Sequence, residues 1–306
     1  RTALAEAGTV DIFWARLHAT QVGDRTIGDE LAGAYGSFNW NGFAWDVYAL
    51  HLLDQGGSYT PNFLLGQAGS SAAMPGLGGG FIADVVDRSP GGRDINVYTV
   101  GGRLDGDIVS GWHVNSEAAY QLGNRGNLDV SAWATHAALS YAVPVFMSPK
   151  FTIGHDAASG DVSPKDGTWG TFENLFPTNH NKYGHLDLAS WKNLSDLFAV
   201  FSVTIPSNAI VAAELHGLQR MEDKDTFYAA SGAPLQARDV VLANSRAKSF
   251  DVGTELDLTV TRKVVDGVDV LIGYAKLWRG AILDEIAADG EANDPSLGYV
   301  QVTASF

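Results

Sequence analysis

The run Phe250-Asp251-Val252-Gly253-Thr254-Glu255-Leu256-Asp257-Leu258-Thr259-Val260 decides the fold. Phe250, Val252, Leu256, Leu258 and Val260 fall on one parity, and Asp251, Gly253, Glu255, Asp257 and Thr259 fall on the other. A strand throws successive side chains to opposite sides, so this run has one hydrocarbon face and one acidic face. The Trp112–Leu122 run reads the same way, with Trp112, Val114, Ala118, Tyr120 and Leu122 opposite His113, Asn115, Glu117 and Gln121. Trp112 and Tyr120 are eight residues apart, and Trp133 and Tyr141 repeat that spacing. On a tilted strand, such a spacing sets one ring near each surface of a bilayer, where amphipathic aromatics collect.

Strand-like segments can be marked at twelve places: 9–21, 30–39, 43–54, 94–104, 111–122, 128–143, 150–156, 196–205, 209–219, 249–262, 268–278 and 298–306. Most have the roughly nine to eleven residues that a tilted strand needs to cross a membrane. Their connections alternate in length. Reading back from the C-terminus they are long (279–297), short (263–267), long (220–248), short (206–208), long (157–195) and short (144–149). A modest 123–127, a short 105–110, a long 55–93, a short 40–42 and a moderate 22–29 complete the series. Short turns at one end and long loops at the other are the rule for outer-membrane barrels, and a soluble sandwich has no reason to keep it. The expected fold is therefore all-β, a single transmembrane antiparallel up-and-down β-barrel over residues 1–306, with extracellular loops at about 55–93, 157–195, 220–248 and 279–297.

Composition removes several classes of function. The 306 residues include no cysteine, which rules out disulfides, thiolate metal sites and cysteine redox chemistry. Lys and Arg number 20 against 35 Asp and Glu, a net charge of −15 with no polybasic run, so no nucleic-acid partner is expected. No apolar stretch reaches the ~18 residues of a membrane helix. The start, Arg1-Thr2-Ala3-Leu4, lacks a charged region followed by an apolar one and is read as mature or trimmed.

The last strand ends on an aromatic carboxy-terminus, with Val300, Val302, Ala304 and Phe306 on one face, and this resembles the assembly signal of outer-membrane barrels. A second resemblance is longer. The stretch Gly154-His155-Asp156-Ala157-Ala158-Ser159-Gly160-Asp161 leads to Gly170-Thr171-Phe172-Glu173-Asn174-Leu175-Phe176-Pro177-Thr178-Asn179-His180-Asn181-Lys182-Tyr183-Gly184-His185, then to Asp187-Leu188-Ala189-Ser190-Trp191-Lys192-Asn193-Leu194. Together these resemble the alginate-export family of porin-like outer-membrane barrels in Gram-negative bacteria, with weaker similarity in Thr9–Leu17 and Tyr228–Gly232. The resemblance implies an outer-membrane location and transport, favours a monomer, and allows up to eighteen strands if an N-terminal part is missing. A conduit for a polyuronate is expected to have a basic lumen, whereas Glu117, Glu214, Asp251, Glu255 and Asp257 are acidic.

By parity the expected lumen-lining residues are His113, Glu117, Glu214, His216, Asp251, Glu255 and Asp257, with Arg16, Arg103 and Lys276 as candidates for the opposing charge. They read either as a wall that attracts cations or as an ordinary solvated interior. The 157–195 loop carries Trp169, Phe172, Asn179, His180, Lys182, His185 and Trp191, and reads either as a gating or constriction loop or as a self-packed cap. His155, Asp156, Asp161 and Asp166 suggest a calcium or other cation site, since hard carboxylate oxygens gathered on a turn suit Ca²⁺, but Asp beside Gly is commoner as turn chemistry, so no metal and no cofactor are expected. The glycines at 76, 78, 79 and 80 lack the Lys-Ser or Lys-Thr of a phosphate loop. The expected function is a channel or porin passing hydrophilic solutes, sugars or a polysaccharide across the outer membrane, in contact with its lipid and without catalysis. Two alternatives stand beside it: a structural or partner-binding barrel with a closed lumen, and an outer-membrane hydrolase using His136 with Ser140, His216, or Ser231.

Overall fold

The computed structural model describes residues 2–3, 8–22, 25–54, 95–175, 182–230, 232, 234–235, 248–286 and 293–305, with backbone alone for 2–3, 17–22 and 25–29. Strands run β1 (Thr2–Ala3), β2 (Gly8–Val22), β3 (Arg25–Trp40), β4 (Phe43–Asp54), β5 (Ile95–Val109), β6 (Trp112–Arg125) and β7 (Leu128–Ala142). They continue as β8 (Lys150–Ala158), β9 (Thr168–Trp169), β10 (Leu194–Thr204), β11 (Ala209–Gln219), β12 (Asp251–Val265), β13 (Val268–Arg279) and β14 (Ser296–Ala304). One short helix, α1 (Ala281–Ile286), precedes β14.

Each of the twelve segments marked in the sequence is a strand, and the two additions, β1 and β9, are two residues long. Neighbours in the chain pair antiparallel from β1 to β14, except that β8 pairs β10 while β9 lies parallel to β7. Among the described residues no ladder joins the two ends of this path. The protein is an all-β antiparallel barrel of the outer-membrane type.

The hydrocarbon face is the one turned outward. Tyr120, Leu122, Trp133, Ile153, Leu197, Leu215, Leu258, Val260, Val300 and Val302 are all exposed, while Gln121, Asp156, Asp196, His216, Glu255 and Asp257 are buried on the opposite parity. Trp112 meets Tyr141 across β6 and β7 with ring centroids 4.7 Å apart, and Tyr120 pairs Trp133 eight residues further on. Eight residues of strand span about 26 Å along the strand, or about 20 Å across the membrane at a tilt of ~40°, so the two ring pairs stand near opposite edges of an apolar band about 25 Å tall.

The connections sort by end. Residues 110–111, 143–149, 205–208 and 266–267, with the Asn41-Gly42 turn, close one end of the wall. Both Asn41 and Gly42 adopt positive φ, as a two-residue hairpin turn requires. The strand ends at Asp54 and Ile95, Ala158 and Leu194, Gln219 and Asp251, and Arg279 and Ser296 lie at the other end. The moderate connection expected at 22–29 is shorter, because β2 and β3 extend to Val22 and Arg25 and pair there. The 55–93 loop, with its glycines, and the terminal Phe306 lie outside the described residues.

Strict parity fails at one place in the deciding strand. Leu218 pairs Gly253 and Gln219 pairs Asp251, so Val252 is the extra residue of a β-bulge. Val252 is fully buried and Asp251 is exposed, the reverse of the parity reading. Asp251 is therefore corrected from the lumen-facing set: beyond the bulge its face is the outer one.

Candidate functional site

The described parts of the connection between β8 and β10, residues 159–175 and 182–193, lie against the inside of the wall, held by side chains from strands far apart in the sheet. On β6, Gln121 clamps the backbone of Glu173: the Glu173 amide donates to Oε1 at 2.8 Å, and Nε2 donates to the Glu173 carbonyl at 2.9 Å. On β12, Glu255 accepts the Leu186 amide at 2.8 Å and Asp257 accepts the His185 amide at 3.2 Å. On β14, the Tyr299 hydroxyl bonds His185 Nδ1 at 2.6 Å. Only a sheet curved around the segment can bring β6 and β14 to it together. Gly184 makes the approach to β12 feasible, because a Cβ there would stand 2.4 Å from the Glu255 carboxylate and φ is +91°.

The segment also carries its own ion-pair knot. Lys192 Nζ donates to both carboxylate oxygens of Glu173 at 3.0 Å, and Arg125 Nη1 reaches Glu173 Oε2 at 3.0 Å. Burial opposes the ionised form of Glu173, yet the cations of Lys192 and Arg125 hold its carboxyl below the usual range. For Lys192 burial prevails over Glu173 and pulls the ammonium pKa down. Arg125 also stacks over Trp169, 4.3 Å from the ring centroid.

A second loop, 220–250, braces the first. Asp225 accepts from the Asp161 amide, the Thr171 hydroxyl, the Thr226 amide and the Tyr228 hydroxyl at 2.6–3.0 Å. Burial raises the Asp225 pKa against the pull of these bonds. Asn193, at positive φ, donates to the carbonyls of Glu222 and Thr226 and accepts the Glu222 amide. Around the polar contacts lies a buried apolar cluster that includes Tyr183, Leu188, Leu194, Phe227, Val252 and Ile282, the last from α1.

The expected lumen residues take distinct places. His216, Glu255 and Asp257 are buried, with His216 Nδ1 2.7 Å from Asp196 Oδ2 and Nε2 3.9 Å from Asp257 Oδ2. Glu214 is partly exposed, 4.0 Å from His216 Nε2. Glu117 accepts the Tyr48 hydroxyl at 2.6 Å, and His113 Nδ1 contacts Asp107 at 2.9 Å. In the crossing segment His185 is buried, Lys182 is exposed, and Trp191 packs edge-on against Phe172 with centroids 5.6 Å apart. Asn179 and His180 lie outside the described residues.

Of the three candidate counter-charges, Arg103 shares the inward row with Glu117. Arg16 pairs with Glu30 at 2.9 Å on the face that carries Trp14, and Lys276 lies between outward Tyr274 and Trp278, so neither opposes the acidic wall. The four candidate calcium ligands are dispersed: His155 faces outward and bonds Ser195, Asp156 bonds His136, Asp161 bonds the Ser163 amide, and Asp166 bonds the Thr168 amide. Among the described residues no group of three His, Asp or Glu is placed to hold a metal ion.

Sequence reasoning missed the pairing of Glu173 with Lys192 and Arg125, and the roles of Asp196 and Asp225. Glu173 and Lys192 both lie in the stretch that carries the family resemblance, and that was the available signal.

The sequence profile of the alginate export family matches residues 25–294. No curated protein matches the chain. A crystal structure of the NanC porin is 12% identical and spans 98% of this chain and 100% of its own, with a TM-score of 0.36, too low to carry an argument. The chain belongs to the alginate export family of bacterial outer-membrane proteins.

Proposed function

We propose that this protein is an outer-membrane channel for hydrophilic solutes, sugars or segments of polysaccharide, and that residues 159–193 form its constriction. One observation carries the reading: the segment is bonded to inward side chains from β6, β12 and β14, so it lies across the route that a solute would take. The inward wall keeps a row of polar side chains that can exchange hydrogen bonds with sugar hydroxyls. His113, Glu117, Glu214, His216, Glu255 and Asp257 are the lining residues in this reading, and Lys182, His185 and Trp191 belong to the constriction. Its partners are the surrounding lipid and the solute, and the protein acts as a monomer.

Planar bilayers test it. Discrete conductance steps are expected, neutral polymer should block them, and shortening the 159–193 segment should raise unit conductance. A barrel that stays silent at every voltage, with the segment shortened as well as intact, refutes the reading. That outcome would favour a structural or partner-binding barrel, for which the apolar cluster around Tyr183 and Phe227 speaks. A hydrolytic pairing of Ser140 with His136 finds no support in the geometry, and Ser231 lies outside the described residues. Ser140 Oγ bonds Thr152 Oγ1 and His136 bonds Asp156, and a separation of four strand residues sets Ser140 about 13 Å from His136.

A further inference from the structure

We propose that the passage bounded by β4 to β12 favours cations over anions, and in particular solutes bearing ammonium or guanidinium groups over polyuronates. The inference rests on the channel reading above and names the charge class of what passes. Four carboxylates, Asp46, Glu117, Asp156 and Asp196, stand in register across β4, β6, β8 and β10. Arg103 and His136 stand between them in that row, and both are committed. Arg103 is shared by Asp105 at 2.6 Å and Asp46 at 3.5 Å, and His136 bonds Asp156 at 2.6 Å. Glu214 adds a partly exposed carboxylate further along β11.

Asp196 Oδ1 is a buried acceptor with no hydrogen-bond partner beside His216, and the carboxyl groups of Glu255 and Asp257 lie against each other. A carboxylate oxygen accepts only, so the row offers acceptors to N–H donors. Tyr183 has its hydroxyl pKa raised, by burial first and then by the negative charges of Asp156, Asp196 and Glu117. Clefts lined by one sign of charge concentrate the opposite ion, and a potential of even about one kT would enrich cations over anions roughly sevenfold.

The zero-current potential across a tenfold KCl gradient decides the matter in the full-length protein. The expected sign is that of a cation-preferring pore, with a permeability ratio of about seven at 0.1 M salt that shrinks at 1 M, where the screening length falls to about 3 Å. Glu117→Gln combined with Glu214→Gln should bring the ratio toward one. Added arginine should interrupt the current at lower concentration than added glucuronate does. A wild-type ratio of one or an anion preference overturns the inference while leaving the channel in place. Absence of any conductance overturns the channel reading, and the inference falls with it.

Discussion

Replacing Glu173 by Gln should unfasten the crossing segment. The substitution keeps the shape of the side chain and its backbone clamp to Gln121, but removes the charge that Lys192 and Arg125 share. Lys192 is 4% exposed and Arg125 is 24% exposed, so two cations are left facing each other with little water to screen them. Removing one partner of a buried ion pair costs about 3–5 kcal/mol. The lower end applies here, because Arg125 reaches partial solvent and Lys192, already depressed by burial, can release its proton. At about 1.4 kcal/mol per decade, ~3 kcal/mol raises the released population roughly a hundredfold. Hydrogen exchange of peptides covering 168–175 reads that population through the Glu173 amide, and single-channel records read it as longer open times. Glu173→Gln with Lys192→Met should recover most of the protection, since an apolar replacement of a buried pair is often neutral. Wild-type exchange in the single variant, or a double variant worse than the single one, would refute the reasoning.

Three further expectations follow from the same contacts. Because the Glu173 carboxyl lies below its unfolded value of about 4.3, its contribution is complete above that pH and drains away as pH falls through the folded value. Gating should thus be steady from neutrality to about pH 4.5 and loosen only below, in Asp225→Asn as in wild type; loosening between pH 7 and 5 contradicts this. Asn193→Ala strips the partners from two buried carbonyls and one amide between the two loops and should cost about 2–5 kcal/mol, seen as coupled release of 159–193 and 220–230 in hydrogen exchange. Leu258→Arg, at the middle of β12 and facing lipid, should destabilise the protein by about 2–4 kcal/mol in urea titrations in vesicles, and Val264→Arg near the turn by about 0–1 kcal/mol. Equal costs at the two positions would rule out the assigned membrane depth.

The wall was legible in the sequence because its physics is local. Alternation in Trp112–Leu122 and Leu256–Val260 follows from neighbours two residues apart, and each loop length is a simple interval between such runs. The one slip, at Asp251 and Val252, came from a bulge, which inserts a residue without any marker in the pattern. The interior was less legible because its contacts are not local. Gln121 meets Glu173 across 52 positions and Leu186 meets Glu255 across 69, so the residue types are visible in advance but their partners are not. Parity sets Glu117, His216, Glu255 and Asp257 on the row opposite the exposed hydrocarbon side chains. It could not distinguish carboxylates that hold backbone amides from those, such as Glu214, that face water.

The bond between His185 and Tyr299 links residues 114 positions apart and reaches into β14. The crossing segment therefore stays incompletely fastened until the final strand has inserted. A barrel whose β14 is unpaired would keep the pairing of β2 to β13 while lacking this fastening of the obstruction. Late folding intermediates should accordingly leak ions more freely than the finished protein, and errors in the last nine-residue strand should appear as permeability defects well before they appear as loss of the barrel.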